Sequence, residues 1–387
     1  MPGGSRAPRA AGSRAPRAAR EPRPARRGGS HNGEVHPAGS ARDPRGAALR
    51  RGLLCAAAAG ALVLPASGAI PALPARVTPS ARASAAAYPI PAPPVLPEPC
   101  PPPPLPPGPP PPPLGPPSVP DSAIPVAGVP PPRVVDLSAL SGKGLWLTTW
   151  KTSRLDVRRT VAMAVRAGLR QLWLRTGSSH DGYYGATLLR ELVPAAHRAG
   201  IAVIAWDFAT MSNPAADAAR AADALRDGAD GFAADIESPA EGTYLSARRV
   251  AYYLSLVRAD AGRRPVVAVV PRPLRYWLAS YPYAAEAPYV DAFAPMVYWS
   301  CTEPGRAVLE AIRGLERLRP VVPVGQDYDM ASEGGRHGLP SGAEIWRFLD
   351  VSHRGGALGA SLYDAESGGP AQLAALARYP WRERSLG

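Results

Sequence analysis

Cysteine is nearly absent from this chain of 387 residues, and Cys55, Cys100 and Cys301 show neither a C-x-x-C spacing nor a histidine cluster that would hold zinc. Pairing of Cys100 with Cys301 stays open, while Cys55 falls in an apolar run. No His-x-His or His-Glu-x-x-His occurs, which excludes the usual metal-dependent hydrolases. No Gly-x-Gly-x-x-Gly follows the first strand-like run, which argues against a dinucleotide site. We therefore expect no cofactor and no metal. Acidic residues are scarce before Val134, where 15 basic residues meet only 5 acidic ones, so that +10 of the net +13 lies in that part of the chain. The excess sits in a tail rather than on a folded surface, and nucleic acid is not an expected partner. Nor is any apolar run long enough to be a clear membrane span.

What precedes Val134 reads as address and spacer. Residues 1–50 are an Arg/Ala/Pro-rich sequence with a near-repeat, Gly-Ser-Arg-Ala-Pro-Arg-Ala, and almost nothing large and apolar to bury. They are expected to be disordered. Arg50 and Arg51 then flank about a dozen apolar residues at 53–64, followed by Pro65 and a small-residue stretch, the design of a secretory signal peptide. We assign 51–70 to that signal or, as the alternative, to an uncleaved anchor; membrane contact is expected through this segment alone. Of the 50 prolines, 24 lie between Pro89 and Pro132. Residues 71–133 are accordingly expected to be a linker, extended over 89–133 as a polyproline II stalk. The protein is expected to be secreted or attached at the cell surface or wall.

From Val134 the texture changes to short apolar runs alternating with helical patterns. Eight runs occur, at 144–150, 171–177, 202–208, 231–237, 265–270, 291–299, 321–326 and 359–365. Between them, Asp156 and Asn213-Pro214 are placed to open helices, Gly168 and Gly228 to close them, and Ser341 to Glu344 has capping-box spacing. Eight βα units in about 250 residues predict a (β/α)₈ TIM barrel over 134–387. An open doubly wound α/β sheet is the competing architecture.

Active sites of such barrels form at the carboxyl ends of the strands. The fourth run, Asp-Gly-Phe-Ala-Ala-Asp-Ile-Glu at 230–237, closes with two acids. Alternation puts Ala233, Asp235 and Glu237 on one face and Phe232, Ala234 and Ile236 on the other. The paired carboxylates should perturb each other, so that one holds a proton near neutrality. Other strand ends offer Trp150, Arg175, Asp207, Tyr298, Trp299, Gln326, Asp327 and Tyr363, with His180, Asp181, Asp329, Asp364 and Glu366 nearby. Acids among aromatic rings suit sugar chemistry: carboxyl groups protonate a leaving oxygen and steady an oxocarbenium-like centre, and flat rings stack on pyranose faces. Trp146, Trp173 and Trp206 are expected to pack against helices, His197 to be an ordinary helix residue, and Asp364 and Glu366 to cap the last helix.

The 230–237 stretch resembles the D-x-x-D-x-D-x-E signature of family 18 glycoside hydrolases, the chitinase-like barrels, and Met296-Val-Tyr298 resembles their M-x-Y element. The resemblance implies that Glu237 is the general acid, that Asp235 orients a substrate 2-acetamido group attacking its own anomeric carbon, and that Tyr298 hydrogen-bonds that group. Ala233 departs from the pattern, which has an acid there, and Trp299 stands where the family usually has Asp. A more distant resemblance is to family 25 lysozyme-like barrels, which also carry Asp-x-Glu on a central strand. The expected function is a glycoside hydrolase-like protein acting on a polysaccharide or peptidoglycan. The remaining sites, Trp150, Arg175, Asp207, Trp299, Gln326, Asp327 and Tyr363, are expected to bind substrate. The alternative is a catalytically silent, glycan-binding barrel.

Overall fold

The structure, a computed structural model, describes residues 114–149, 154–333 and 335–382. The expected tail, the apolar segment, Cys100, Trp150 and the proline tract up to residue 113 lie outside the described residues. Cys301 is disulfide-bonded; Cys55 and Cys100, the chain's other cysteines, are not among the described residues. No helix among the described residues is long and apolar enough to cross a membrane.

Strand and helix alternate as the sequence periodicity predicts. In chain order they are β1 (Gly142–Leu147), α1 (Val157–Arg166), β2 (Gln171–Ser178), β3 (Gly182–Tyr183), α2 (Ala186–His197), β4 (Ala202–Phe208), α3 (Pro214–Arg226), β5 (Gly231–Asp235), α4 (Ala247–Ala261) and β6 (Val266–Pro271). Next come α5 (Arg275–Ser280), α6 (Tyr283–Glu286), β7 (Ala292–Val297), α7 (Pro304–Leu315), β8 (Val324–Gln326), α8 (Gly342–Arg354), β9 (Gly359–Tyr363) and α9 (Pro370–Arg378). Eight strands pair in parallel in the order β1-β9-β8-β7-β6-β5-β4-β2, and a β1–β2 pairing closes the ring. The fold is a TIM barrel, and closure rules out the open sheet. The ninth strand, β3, is a short antiparallel partner of β2 outside the ring. At β8 the barrel strand has only three residues because Pro320 and Pro323 supply no N–H to the ladder. Val321 is left with one isolated bridge to Phe293.

The helix signals act as expected. Asp156 accepts from the Arg159 N–H, and Asn213 from the Ala216 N–H ahead of Pro214. Ser341 and Glu344 form the reciprocal capping box. Phe232, Ala234 and Ile236 face the helix layer with Val250, Tyr253 and Leu254, while Ala233 faces the lumen.

The lumen corrects one expectation. Trp146, Trp173 and Trp206 fill the barrel interior instead of packing on helices, with Trp146 stacked on Trp173 at 4.9 Å and 9°. Alternation along β1, β2 and β4 points all three inward, and small neighbours admit them. A Cβ on Gly144 would lie 2.8 Å from the Trp173 indole nitrogen. Ala233 pairs in register with Trp206, so a small side chain stands beside a very large one.

Contacts with the barrel begin well before Val134. The Val119 N–H donates to the Ser212 carbonyl. Arg249, almost fully buried at the start of α4, donates to the Met211 and Val119 carbonyls and pairs with Asp121 at 2.5 Å. Farther along, Tyr289 donates to the Ala127 carbonyl and Arg133 to that of Arg258, at the opposite end of α4. Residues 119–133 thus form a strap descending beside α4 to Leu140, which is buried in the foot of the lumen. Over these residues the expected linker lies against the fold, held by Arg249 and Tyr289, which donate to its backbone carbonyls, and by its own Arg133, which donates to the Arg258 carbonyl of α4.

Candidate active site

The carboxyl ends of β5, β6, β7, β8 and β9 and the loops that follow surround a cleft of about 840 Å³. Its wall is built around Asp235, the last residue of β5, and Glu237. Between them the backbone of Ile236 is pinned twice: its N–H donates to the Val269 carbonyl and its carbonyl accepts from the Tyr281 hydroxyl at 2.8 Å. Both carboxylates line the cleft, as their shared strand face requires.

Burial dominates the electrostatics. It pushes the Asp235 carboxyl up from the ordinary aspartate range, partly countered by the Arg175 guanidinium. Glu237 is raised well above its ordinary range, by burial first, then by the negative charges of Asp235, Glu241 and Glu333. One Asp235 carboxylate oxygen is buried with no hydrogen-bond partner. The pair therefore retains a proton at pH values where free carboxylates have lost theirs.

Tyr298, following β7, lines the cleft in edge-on contact with Tyr328 and tilted against Tyr363. Tyr363 also lines it, leaning on Trp146, whose ring closes the inner end. Burial and neighbouring phenols raise Tyr298, so it stays a neutral donor. Arg175 lies 5.3 Å above the Trp206 ring and touches the site through its charge on Asp235.

The structure places the other expected binding residues elsewhere. Asp207 is held by Arg220 through two 2.7 Å hydrogen bonds, inside a network with Asp217 and Ser179. Trp299 is buried against Phe348 in the helix layer, since alternation turns it outward when Tyr298 turns in. Gln326 ties two loops together, accepting from the Ser300 N–H and donating to the Tyr328 carbonyl. Asp327 lies buried beneath Asp364, pushed up to about 8 by burial and then by that neighbour. None of these four lines the cleft.

The capping role expected of Asp364 and Glu366 is also corrected. Asp364 lines the cleft, and Glu366 accepts from the Thr148 N–H and hydroxyl, while α9 is capped at Gly369. His197, at the end of α2, contacts Asp230 across the amino-terminal side of the barrel, and Asp230 in turn accepts from the Val203 N–H.

Sequence reasoning missed much of the wall. Ser238 and Glu241 follow β5, Arg272, Leu274, Tyr276 and Trp277 follow β6, and Tyr328, Met330 and Glu333 follow β8. The adjacent aromatics Tyr276 and Trp277 between two strand runs were the available signal. Among the described residues, no three His, Cys, Asp or Glu side chains gather as metal ligands.

No protein-family profile matches this chain, and no curated protein matches it. Solved structures do. The Bacillus cereus spore cortex-lytic enzyme SleL is 12% identical, with a TM-score of 0.47 over 62% of this chain and 74% of its own. A chitinase from Chromobacterium violaceum is 11% identical, with a TM-score of 0.47 over 61% of this chain and 98% of its own. A chitinase-like agglutinin from Robinia pseudoacacia is 12% identical, with a TM-score of 0.45 over 62% and 99%. The likeness is one of fold alone.

Proposed function

We propose that this protein is an exported glycoside hydrolase whose general acid is Glu237 and whose Asp235 orients the substrate and stabilises the developing positive charge. The observation that carries this reading is the joint placement of Asp235 and Glu237, both with raised proton affinity, in an aromatic-walled cleft at the carboxyl end of the barrel. A carboxyl group that keeps its proton near neutrality can give it to a glycosidic oxygen. The tyrosine and tryptophan rings supply flat apolar surfaces for sugar faces. The motif resemblance points to a glycan with 2-acetamido groups, chitin-like or peptidoglycan-like, with Tyr298 donating to the acetamido oxygen and Asp235 holding its N–H. Export rests on the signal-like segment at 51–70.

One observation favours a second reading, a barrel that binds glycan without cutting it. Where the resembling family has a carboxylate, Ala233 faces a lumen occupied by Trp146, Trp173 and Trp206, so Asp235 has no acidic neighbour below it on its own strand. The two readings separate in one experiment: incubation of the protein with chito-oligosaccharides and peptidoglycan fragments, followed by mass spectrometry and by calorimetric titration. New reducing ends that vanish in Glu237→Gln support the hydrolase; binding without cleavage across the panel supports the silent barrel. Absence of binding to any glycan overturns both.

A further inference from the structure

The charge of the cleft narrows the substrate class of the proposed glycan site, on which this inference rests. After residue 133 the chain carries 29 basic and 26 acidic residues, close to balance. The cleft departs from that balance: among its described lining residues Asp235, Glu237, Glu241, Glu333 and Asp364 face it against the single cation Arg272, with Arg175 acting on Asp235 from outside the lining. Arg272 itself has Glu310 as an electrostatic neighbour, which further weakens its pull on an anion. Even with one proton shared between Asp235 and Glu237, the site holds a clear negative excess.

Glu241 and Glu333 arrive from different loops, after β5 and after β8, and both act on Glu237. Each is oriented by a neutral donor, Glu241 by the Ser238 hydroxyl and Glu333 by the Tyr328 hydroxyl at 3.0 Å. Among the described residues, neither is in an ion pair. Both are exposed, available to a ligand's positive charge. The buried Asp235 oxygen without a partner points to the same site as ligand-binding. Like charges gathered from separate loops without compensating cations cost free energy in the empty protein, and a cationic ligand relieves that cost.

We propose that the cleft selects glycans bearing free amino groups, partly N-deacetylated amino-sugar polymers, over neutral and polyanionic ones. An acetylated ring occupies the Asp235–Glu237 position, and ammonium groups on flanking rings meet Glu241 and Glu333. Uronic-acid polymers are excluded, since they would bring carboxylates against this wall.

The test is calorimetric titration of the full chain carrying Glu237→Gln, so that ligand survives, against three oligosaccharides of equal length. One is fully acetylated chitin oligomer, one partly deacetylated, one an oligogalacturonate. Each is measured at about 0.02 M and about 0.3 M salt, which straddle the screening of exposed charges. Tighter binding of the deacetylated oligomer, by about threefold to tenfold per carboxylate at low salt, is expected from charges a few ångströms apart at a wet surface. That preference should shrink at high salt and collapse when Glu241→Gln and Glu333→Gln are added, with melting curves confirming that the variants are folded. Equal affinity for the acetylated and deacetylated oligomers, tightest binding of the oligogalacturonate, or a preference that survives the double substitution overturns the inference. Of these, binding of the acetylated oligomer with no amine preference leaves the glycan site standing. No binding by any of the three removes the glycan site itself, and this inference with it.

Discussion

At the residue scale, the carboxyl groups differ in what burial does to them. Asp207 is engaged by Arg220, whereas Asp235 and Glu237 face the cleft with raised proton affinities. Glu237→Gln is expected to remove turnover while sparing binding, with a loss of at least the roughly 10² to 10⁴ that general acid catalysis supplies; a rate unchanged in that variant would show that another group gives the proton. The pH profile should be bell-shaped, its alkaline limb set by the pair and displaced above the ordinary carboxylate range because both groups are shifted upward. Glu286 offers an independent readout in stability. It is wholly buried, and burial pushes it from 4.5 up to about 8, only partly offset by Tyr281. The folded state thus holds a proton that the unfolded chain has released between those values, so stability is greatest below the window and lost as pH rises through it. Asp327 and Asp207 are raised in the same direction. The melting temperature should fall between about pH 5 and about pH 8, and Glu286→Gln should flatten part of that slope. A melting temperature that rises over this range in the wild type would contradict the assignment.

At the element scale, the strap beside α4 shows how backbone without regular structure earns a fixed place. Arg249 is 2% exposed and anchors two strap residues and the Met211 carbonyl. Arg249→Ala leaves those acceptors without their donor, and a loss of roughly 2 kcal/mol in denaturant unfolding is expected, the scale of hydrogen bonds to a charged group. Limited proteolysis should correspondingly leave a fragment whose amino terminus precedes Val134. Trimming to Val134 with no change in melting temperature would show that the strap contributes nothing. The α5 segment is the other element of consequence, because it brings Tyr276 and Trp277 to the cleft as a tilted pair with ring centroids 4.9 Å apart.

At the scale of the whole molecule, the basic, apolar and proline-rich segments before residue 114 are separate in composition from the nearly neutral barrel. Removing residues 1–113 is expected to abolish export while leaving the circular dichroism, melting temperature and glycan binding of the remainder unchanged. Recovery of the truncated chain in the medium, or loss of its fold, would overturn the division into address and barrel. Because the barrel's net charge is small, the effect of salt on ligand binding should come from the cleft and not from the protein's overall field.

Repeating period, helix caps and strand-end acids were all legible in the linear chain, because they depend on local alternation: Asp235 and Glu237 share a face for the same geometric reason that Ala233 does. Met296-Val-Tyr298 was readable in the same way, and Tyr298 does line the cleft. What alternation could not supply was the depth of each strand end and the company it keeps. Trp299 was misplaced by one residue's worth of rotation, and Asp207 looked available until Arg220, thirteen positions later on α3, was brought against it. Glu241 and Glu333 carry no signal of their own in the sequence, since each is an acid in a polar loop. Closure of the ring, with β1 joined to both β2 and β9, is what sets those two loops around one cleft, because curvature gathers the carboxyl ends of strands far apart along the chain.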